Sequence, residues 1–406
     1  MLTAPAGGRT PRASAGGRAL RALAGCAALL AVLFASGPAR AEPGGWPLDA
    51  IAAPEAWRVT DGSGVTVALI GSRHPEAVPG LGGKVVRGPE MRYLLRERPG
   101  PGDGEPAEPT PGETPGRAAD ATALAGLIAG SGRAGGVTGV APGATILSVP
   151  VPEPRRADVS EPGETGLWLD DPLARAIRYA ADRGASVIYI PVAHHGVGRA
   201  EREAVAYALE RGAVLVAPAG DDGRSEPARR TGSAYWRFPA GYPGVVGVAA
   251  AGRNGAKAPE SSGNLSVLVA APGVDVPVAG GATASGTAVA GAMVAGVAAL
   301  IKAKYPELTP QMVVRAMTET ARSTERYDEN VGFGVVNAAA ALDKAGQLTA
   351  YRGSVPVQDD AHFGDGPPPG PPERPGPDPV RLSIYGIAVL LGVLGLGAAT
   401  VALRRR

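Results

Sequence analysis

The sequence predicts an α/β fold, a mainly parallel β-sheet held between two layers of helices. Three observations lead there. Short uncharged runs at 64–70, 186–190 and 214–217 are apolar at consecutive positions, as strands buried on both faces require. Amphipathic stretches at 172–183 and 201–211 alternate with them, closed by Gly184 and Gly212, which is the βαβ rhythm of a parallel sheet. Finally, residues 285–300 contain no charge and almost only small or aliphatic side chains. Apolar on every face, this stretch reads as a fully buried helix. Its length approaches that of a membrane span, but Gly is frequent, Leu is scarce, and Lys302 and Lys304 follow at once. The buried helix is the better reading.

Taken in order, residues 1–41 hold five arginines, no acid, an apolar run over 22–34 and then Ala39-Arg40-Ala41. That order is a secretory signal peptide, with cleavage expected after Ala41. Cys26, the only cysteine, lies inside it, so the mature chain is expected to have no disulfide and no thiolate chemistry. Residues 46–60 form an amphipathic lead-in to the first strand, 64–70, which ends in Gly71-Ser72-Arg73-His74-Pro75. Residues 99–116 are rich in Pro, Gly and Glu without apolar periodicity, a surface insertion expected to be disordered. A helix over 118–129 follows. Gly130-Ser131-Gly132-Arg133-Ala134-Gly135 matches GxGxxG, but the dinucleotide fingerprint needs a strand before it and a helix after it. Here a helix precedes and a loop follows, so the run is a linker. Further strands are expected at 145–151, 242–248 and 267–270. Thr309-Pro310 opens a last helix, Thr as cap and Pro at the first helical position.

Beyond the domain, at 42–350, residues 351–381 are dense in Pro and Gly and form a stiff stalk. Residues 382–403 are apolar and lie between Arg381 and Arg404-Arg405-Arg406. Their length suits a transmembrane helix, with the 404–406 tail cytoplasmic and the rest of the chain outside. The expected location is therefore the cell membrane, crossed once. The five arginines of 1–41 and the three of the tail exceed the formal +2, which leaves residues 42–403 at −6. A mildly acidic ectodomain argues against nucleic acid as a partner.

Several motifs occur in one order along the chain: 64–70 with His74-Pro75; Ala125-Gly126-Leu127-Ile128-Ala129-Gly130; Gly139-Val140-Ala141-Pro142; Phe238-Pro239-Ala240-Gly241-Tyr242-Pro243-Gly244-Val245; Ala270-Ala271-Pro272-Gly273; Ser285-Gly286-Thr287; and Val331-Gly332-Phe333-Gly334-Val335-Val336-Asn337. Residues 46–345 thereby resemble the subtilisin-like (S8) serine proteases, and among them the mycosins, membrane-tethered proteases associated with type VII secretion. The resemblance implies a subtilisin-like three-layer domain and a cleft that binds peptide. It also implies where catalytic residues should stand, and there the sequence departs. The triad-equivalent positions are Gly71 for the orienting Asp, Asp120 for the His and Ala288 for the nucleophilic Ser. The oxyanion-equivalent Asn is Asp221. The substrate-binding strand reads Ile190-Pro191-Val192, and Pro191 has no amide to donate.

An alanine methyl cannot attack a carbonyl. Asp120 and Asp221 superficially match the carboxyl positions of sedolisins, but sedolisins keep the serine. Ser285 and Thr287 read as turn and cap residues, and His194 and His195 as neutral surface histidines. The expectation is an inactive homologue that binds or scaffolds, with the type VII secretion membrane complex or a peptide as partner and with neither metal nor cofactor. An active serine endopeptidase with a non-standard constellation and a surface spacer module are the alternatives.

Overall fold

Alternation along short strands sorts the side chains into two cores. The computed structural model describes residues 45–92, 120–152, 171–322 and 327–350, with Ser383, Tyr385, Ile387 and Leu390. Its strands are β1 (Thr66–Leu69), β2 (Val85–Arg87), β3 (Thr145–Ser148), β4 (Val187–Tyr189), β5 (Val214–Pro218), β6 (Val245–Ala251), β7 (Val267–Pro272), β8 (Val276–Pro277) and β9 (Thr283–Ala284). The first seven form one sheet in the order β2-β3-β1-β4-β5-β6-β7, every pair parallel. Val67, Leu69, Val187, Tyr189, Val214 and Val216 point into one core. Their neighbours Ala68, Ile188, Leu215 and Ala217 point into the other, as a period of two dictates.

The helices are α1 (Trp46–Ala50), α2 (Ala53–Ala56), α3 (Ala121–Ala129), α4 (Pro172–Asp182), α5 (Arg199–Glu210), α6 (Glu226–Thr231), α7 (Thr287–Lys304), α8 (Pro310–Thr320) and α9 (Ala338–Leu348). Helices α3, α7, α8 and α9 cover the first core; α4 and α5 cover the second. This is the three-layer arrangement expected. Gly184 (φ 73°) and Gly212 (φ 82°) sit in the left-handed conformation just past α4 and α5, where glycine ends a helix at little steric cost. GxGxxG follows α3 as a loop with a 3-10 turn at Arg133–Gly135.

Helix α7 is the centre of the first core. Among the described residues it alone is long and apolar enough to cross a membrane, and 83% of it is buried within the domain. Its small residues permit close contact. A Cβ on Gly296 would fall 2.5 Å from Val140 Cβ, and one on Gly291 would fall 2.9 Å from Tyr189 Cε2.

Several expectations change. Strand 242–248 begins at Val245, because Tyr242-Pro243-Gly244 forms a turn. The helix at 310 is not the last; α9 follows, capped by the Asn337 side chain on Ala340 N, and its alanine-rich sequence offers little polar contrast. Strand β2 escaped notice because it lies at the sheet edge with Val86 and Arg87 exposed. Helix α6 buries no residue at all, so it carries no apolar stripe. The chain divides after Tyr351 into two units; in the second, Ser383, Tyr385, Ile387 and Leu390 are helical and exposed. The expectations for 1–41, 99–116, 351–381 and most of 382–403 fall outside the described residues.

Candidate functional site

Topology fixes where a crevice opens. Strand β1 is flanked by β3 on one side and β4 on the other, so the connections beyond its carboxyl end diverge, the usual position of a ligand site in a parallel sheet. Gly71 lies there. A Cβ on it would meet only Pro191 Cγ, at 3.9 Å, so Gly71 and Pro191 are neighbours with room between them for a side chain.

Asp120 caps α3. Its Oδ1 accepts the Thr122 amide at 3.1 Å and pairs with Arg73 Nη2 at 3.0 Å. The pair is exposed, so it contributes about 0–1 kcal/mol. Beside it, the Glu76 amide donates to Thr122 Oγ1 at 2.9 Å. The exit of β1 is thus stitched to the start of α3.

Asp221 leaves β5 and reaches α7. Its Oδ1 accepts the amide of Thr287 at 2.9 Å. Gly286, at the N-cap position, has no side chain to cap the helix, so Asp221 supplies the cap from elsewhere in the chain, where the helix dipole favours an anion. Burial pushes the Asp221 carboxyl above its ordinary range; the Thr287 amide pulls it down, and the charges of Asp222 and Glu260 push it up again. Because the folded value is raised, folding favours the protonated acid. Its contribution is full below the ordinary carboxylate range and is lost as pH rises through the raised value. Asp221→Asn keeps an acceptor for Thr287 and removes the charge. We therefore expect the variant to melt at or above the wild-type temperature at pH 7, with a smaller fall in melting temperature between pH 4 and 7.

Ala288 is half-buried, and its carbonyl accepts a hydrogen bond from the Tyr189 hydroxyl. Tyr189 is wholly buried beneath α7; burial, then the charge of Asp221, raise its phenol well above the ordinary value. Ser285 Oγ accepts the Asp275 amide at 2.9 Å, a turn contact as expected. Ile190 is fully buried and gives its amide to Val216 O at 3.0 Å. Of the three residues expected to line a peptide, all just past β4, only Pro191 and Val192 are half-buried and not fully buried.

Gly71, Asp120 and Ala288 share no hydrogen bond among the described residues. What connects them is a run of neighbours: Tyr189 under Ala288, Pro191 beside Gly71, Arg73 on Asp120. The one Ser–His hydrogen bond among the described residues is His74 Nδ1 to Ser148 Oγ, at 2.9 Å. Ser148 is 1% exposed, which keeps that hydroxyl from a substrate; burial and the charge of Arg87 lower the His74 imidazole. His194 corrects the sequence reading. It is not a free surface histidine but lies 3.1 Å from the buried carboxyl group of Glu201, because residues 191–198 fold back over the start of α5. Tyr189 also went unnoticed, although one large polar-tipped side chain in an aliphatic strand, facing a Gly-rich helix, was a legible signal. No group of three or more His, Cys, Asp or Glu among the described residues is placed to hold a metal ion.

Comparison with known proteins decides the family. The subtilase (peptidase S8) profile matches residues 103–334, more than half of the chain. The chain belongs to the subtilase family. This subtilase is 31% identical over 398 residues to mycosin-4 of Mycobacterium tuberculosis, covering 87% of the chain and 80% of the relative. It is 30% identical over 325 residues to fervidolysin of Fervidobacterium pennivorans, covering 73% of the chain but only 43% of that longer protein. Its fold matches the MycP3 protease from the type VII (ESX-3) secretion system with a TM-score of 0.55 and 28% identity, over 75% of this chain and 90% of that one.

Proposed function

We propose that this subtilase is an exported, membrane-tethered homologue without proteolytic activity, acting by binding within the membrane complex of a type VII secretion system. The observation that carries the proposal is the start of α7. A methyl group stands at Ala288, and the Asp221 carboxylate holds the adjoining Thr287 amide at 2.9 Å. Nucleophilic catalysis needs an oxygen or sulfur with a base in reach; here a carboxyl group holds the Thr287 amide and a buried phenol holds the Ala288 carbonyl. Similarity to mycosin-4 and to MycP3 supports the secretion assignment, and the apolar 382–403 stretch supports the tether.

The test uses the full chain in membranes, treated with a fluorophosphonate probe at neutral and acid pH and assayed with casein. No labelling and no turnover are expected. Labelling that disappears in Ser285→Ala or Thr287→Ala overturns the inactive reading in favour of an active endopeptidase. Crosslinking in intact cells is expected to trap discrete membrane-complex components, and recovery of none counts against the binding role.

A further inference from the structure

Residues 191–198 leave β4 next to Gly71 and fold over the start of α5. One residue fastens the middle of this loop. The His194 amide donates to Phe238 O at 3.0 Å and the Phe238 amide donates back to His194 O at 2.8 Å, a single antiparallel bridge. The His194 side chain turns the other way, with Nε2 3.1 Å from Glu201 Oε2 and 3.3 Å from Oε1. Glu201 belongs to the first turn of α5, yet its side chain is only 2% exposed. The Tyr242 hydroxyl donates to Glu201 Oε2 at 3.1 Å and accepts the Gly198 amide at 2.9 Å. The same carboxylate therefore anchors both the middle and the far end of the loop.

A second acid lies close. Asp171 caps α4 through the Leu173 amide at 2.9 Å, and a Cβ on Gly198 would lie 3.4 Å from Glu201 Oε2 and 3.9 Å from Asp171 Oδ2. The groups facing His194 are thus Glu201 from α5, Asp171 from the start of α4, Tyr242 from the turn before β6, and neighbouring His195, itself beside the Arg237–Asp222 pair. A buried carboxylate without a counter-charge is costly, and the ring of His194, when it carries a proton, is the cation that meets Glu201.

We propose that His194 and Glu201 form a proton-dependent clasp, which holds the 191–198 loop against Phe238 and Tyr242 in acid and releases it as the pH rises. Burial alone would lower the His194 imidazole, but the hydrogen bond and charge of Glu201, with the His195 carbonyl and Asp171, more than offset this and raise it. Asp171 is raised by burial and then by the charge of Glu201. Both shifts have one sign: folding favours proton uptake, so the clasp is complete below the ordinary histidine value and is lost as pH rises through the raised one. Release has a local consequence. The loop carries Pro191 at the crevice edge, exposed Val197, and His195 edge-on to exposed Tyr235 at 6.5 Å between ring centroids. The crevice rim and this aromatic patch are therefore ordered in acid and loosened in alkali, whether or not the chain is a protease.

The test is hydrogen exchange read by mass spectrometry on the full chain in detergent from pH 5.5 to 8.5, corrected for the intrinsic rate at each pH. Peptides spanning 191–201 are expected to lose about tenfold or more in protection across that range, while peptides from β6 stay protected. His194→Gln is expected to show low, pH-independent protection of the loop. Glu201→Gln is expected to remove the pH dependence where β6 remains protected. Flat protection in the wild type, or an undiminished slope in His194→Gln, overturns the clasp. His194 is partly exposed and outside the core, so its variant remains a valid test even where Glu201→Gln does not fold.

Discussion

Tyr189→Ala is expected to destabilise the domain by about 3–5 kcal/mol, the range for truncating a buried aromatic side chain. The ring is wholly buried between β4 and α7 and lies against the backbone of Gly291, where even a Cβ would be too close. Removing it empties a space that α7 cannot easily fill, since the helix offers only small side chains on that face. Tyr189→Phe isolates the hydroxyl. It keeps the packing and loses the hydrogen bond to Ala288 O, for an expected cost of about 1 kcal/mol. Guanidinium unfolding followed by tryptophan fluorescence measures both. Equal losses for the two variants would mean that the hydroxyl, not the ring, holds α7 in place. A loss below about 1 kcal/mol for Tyr189→Ala would remove Tyr189 from the account of the site.

The core of the fold was legible because burial leaves a pattern. Runs apolar at consecutive positions mark strands covered on both faces, and the uncharged run from 285 marks α7. Elements that bury little, such as β2 and α6, leave no pattern and were missed. The site was legible in a different way. The order of the motifs placed Gly71, Asp120, Asp221 and Ala288, but not their partners. Asp221 stands at the oxyanion-equivalent position, yet it caps α7 from the loop after β5, a contact across 66 residues of chain. His194 read as a surface residue because nothing in its neighbourhood announces Glu201, which sits at a helix start where glutamate is ordinary. Long-range polar pairs depend on how loops fold over helices, and hydrophobic periodicity carries no record of that.

Ala288→Ser alone is expected to leave the chain inert. Ala288 is half-buried at the start of α7, and a serine fits there, so the substitution tests chemistry and not folding. Its hydroxyl would need a base; among the described histidines, His74 is bonded to Ser148, His194 to Glu201, and the His195 ring lies edge-on to Tyr235. Without a complete triad, a serine protease retains only about 10³–10⁴-fold catalysis over water, and loss of an oxyanion donor removes a further factor of about 10²–10³. Fluorophosphonate labelling of Ala288→Ser should therefore equal that of the wild type. The companion variant combines Gly71→Asp, Asp120→His, Asp221→Asn and Ala288→Ser. The space at Gly71, bounded only by Pro191 Cγ at 3.9 Å, admits the carboxylate, and Asp221→Asn turns an acceptor-only acid into a donor. This fourfold variant is expected to label at neutral pH, above background by orders of magnitude. Labelling of Ala288→Ser by itself would show that a base already faces α7, and the reading that the triad-equivalent positions cannot activate a hydroxyl would fall. A folded fourfold variant that stays unlabelled would instead overturn the assignment of these four positions, while leaving the absence of a nucleophile at the start of α7 as it stands.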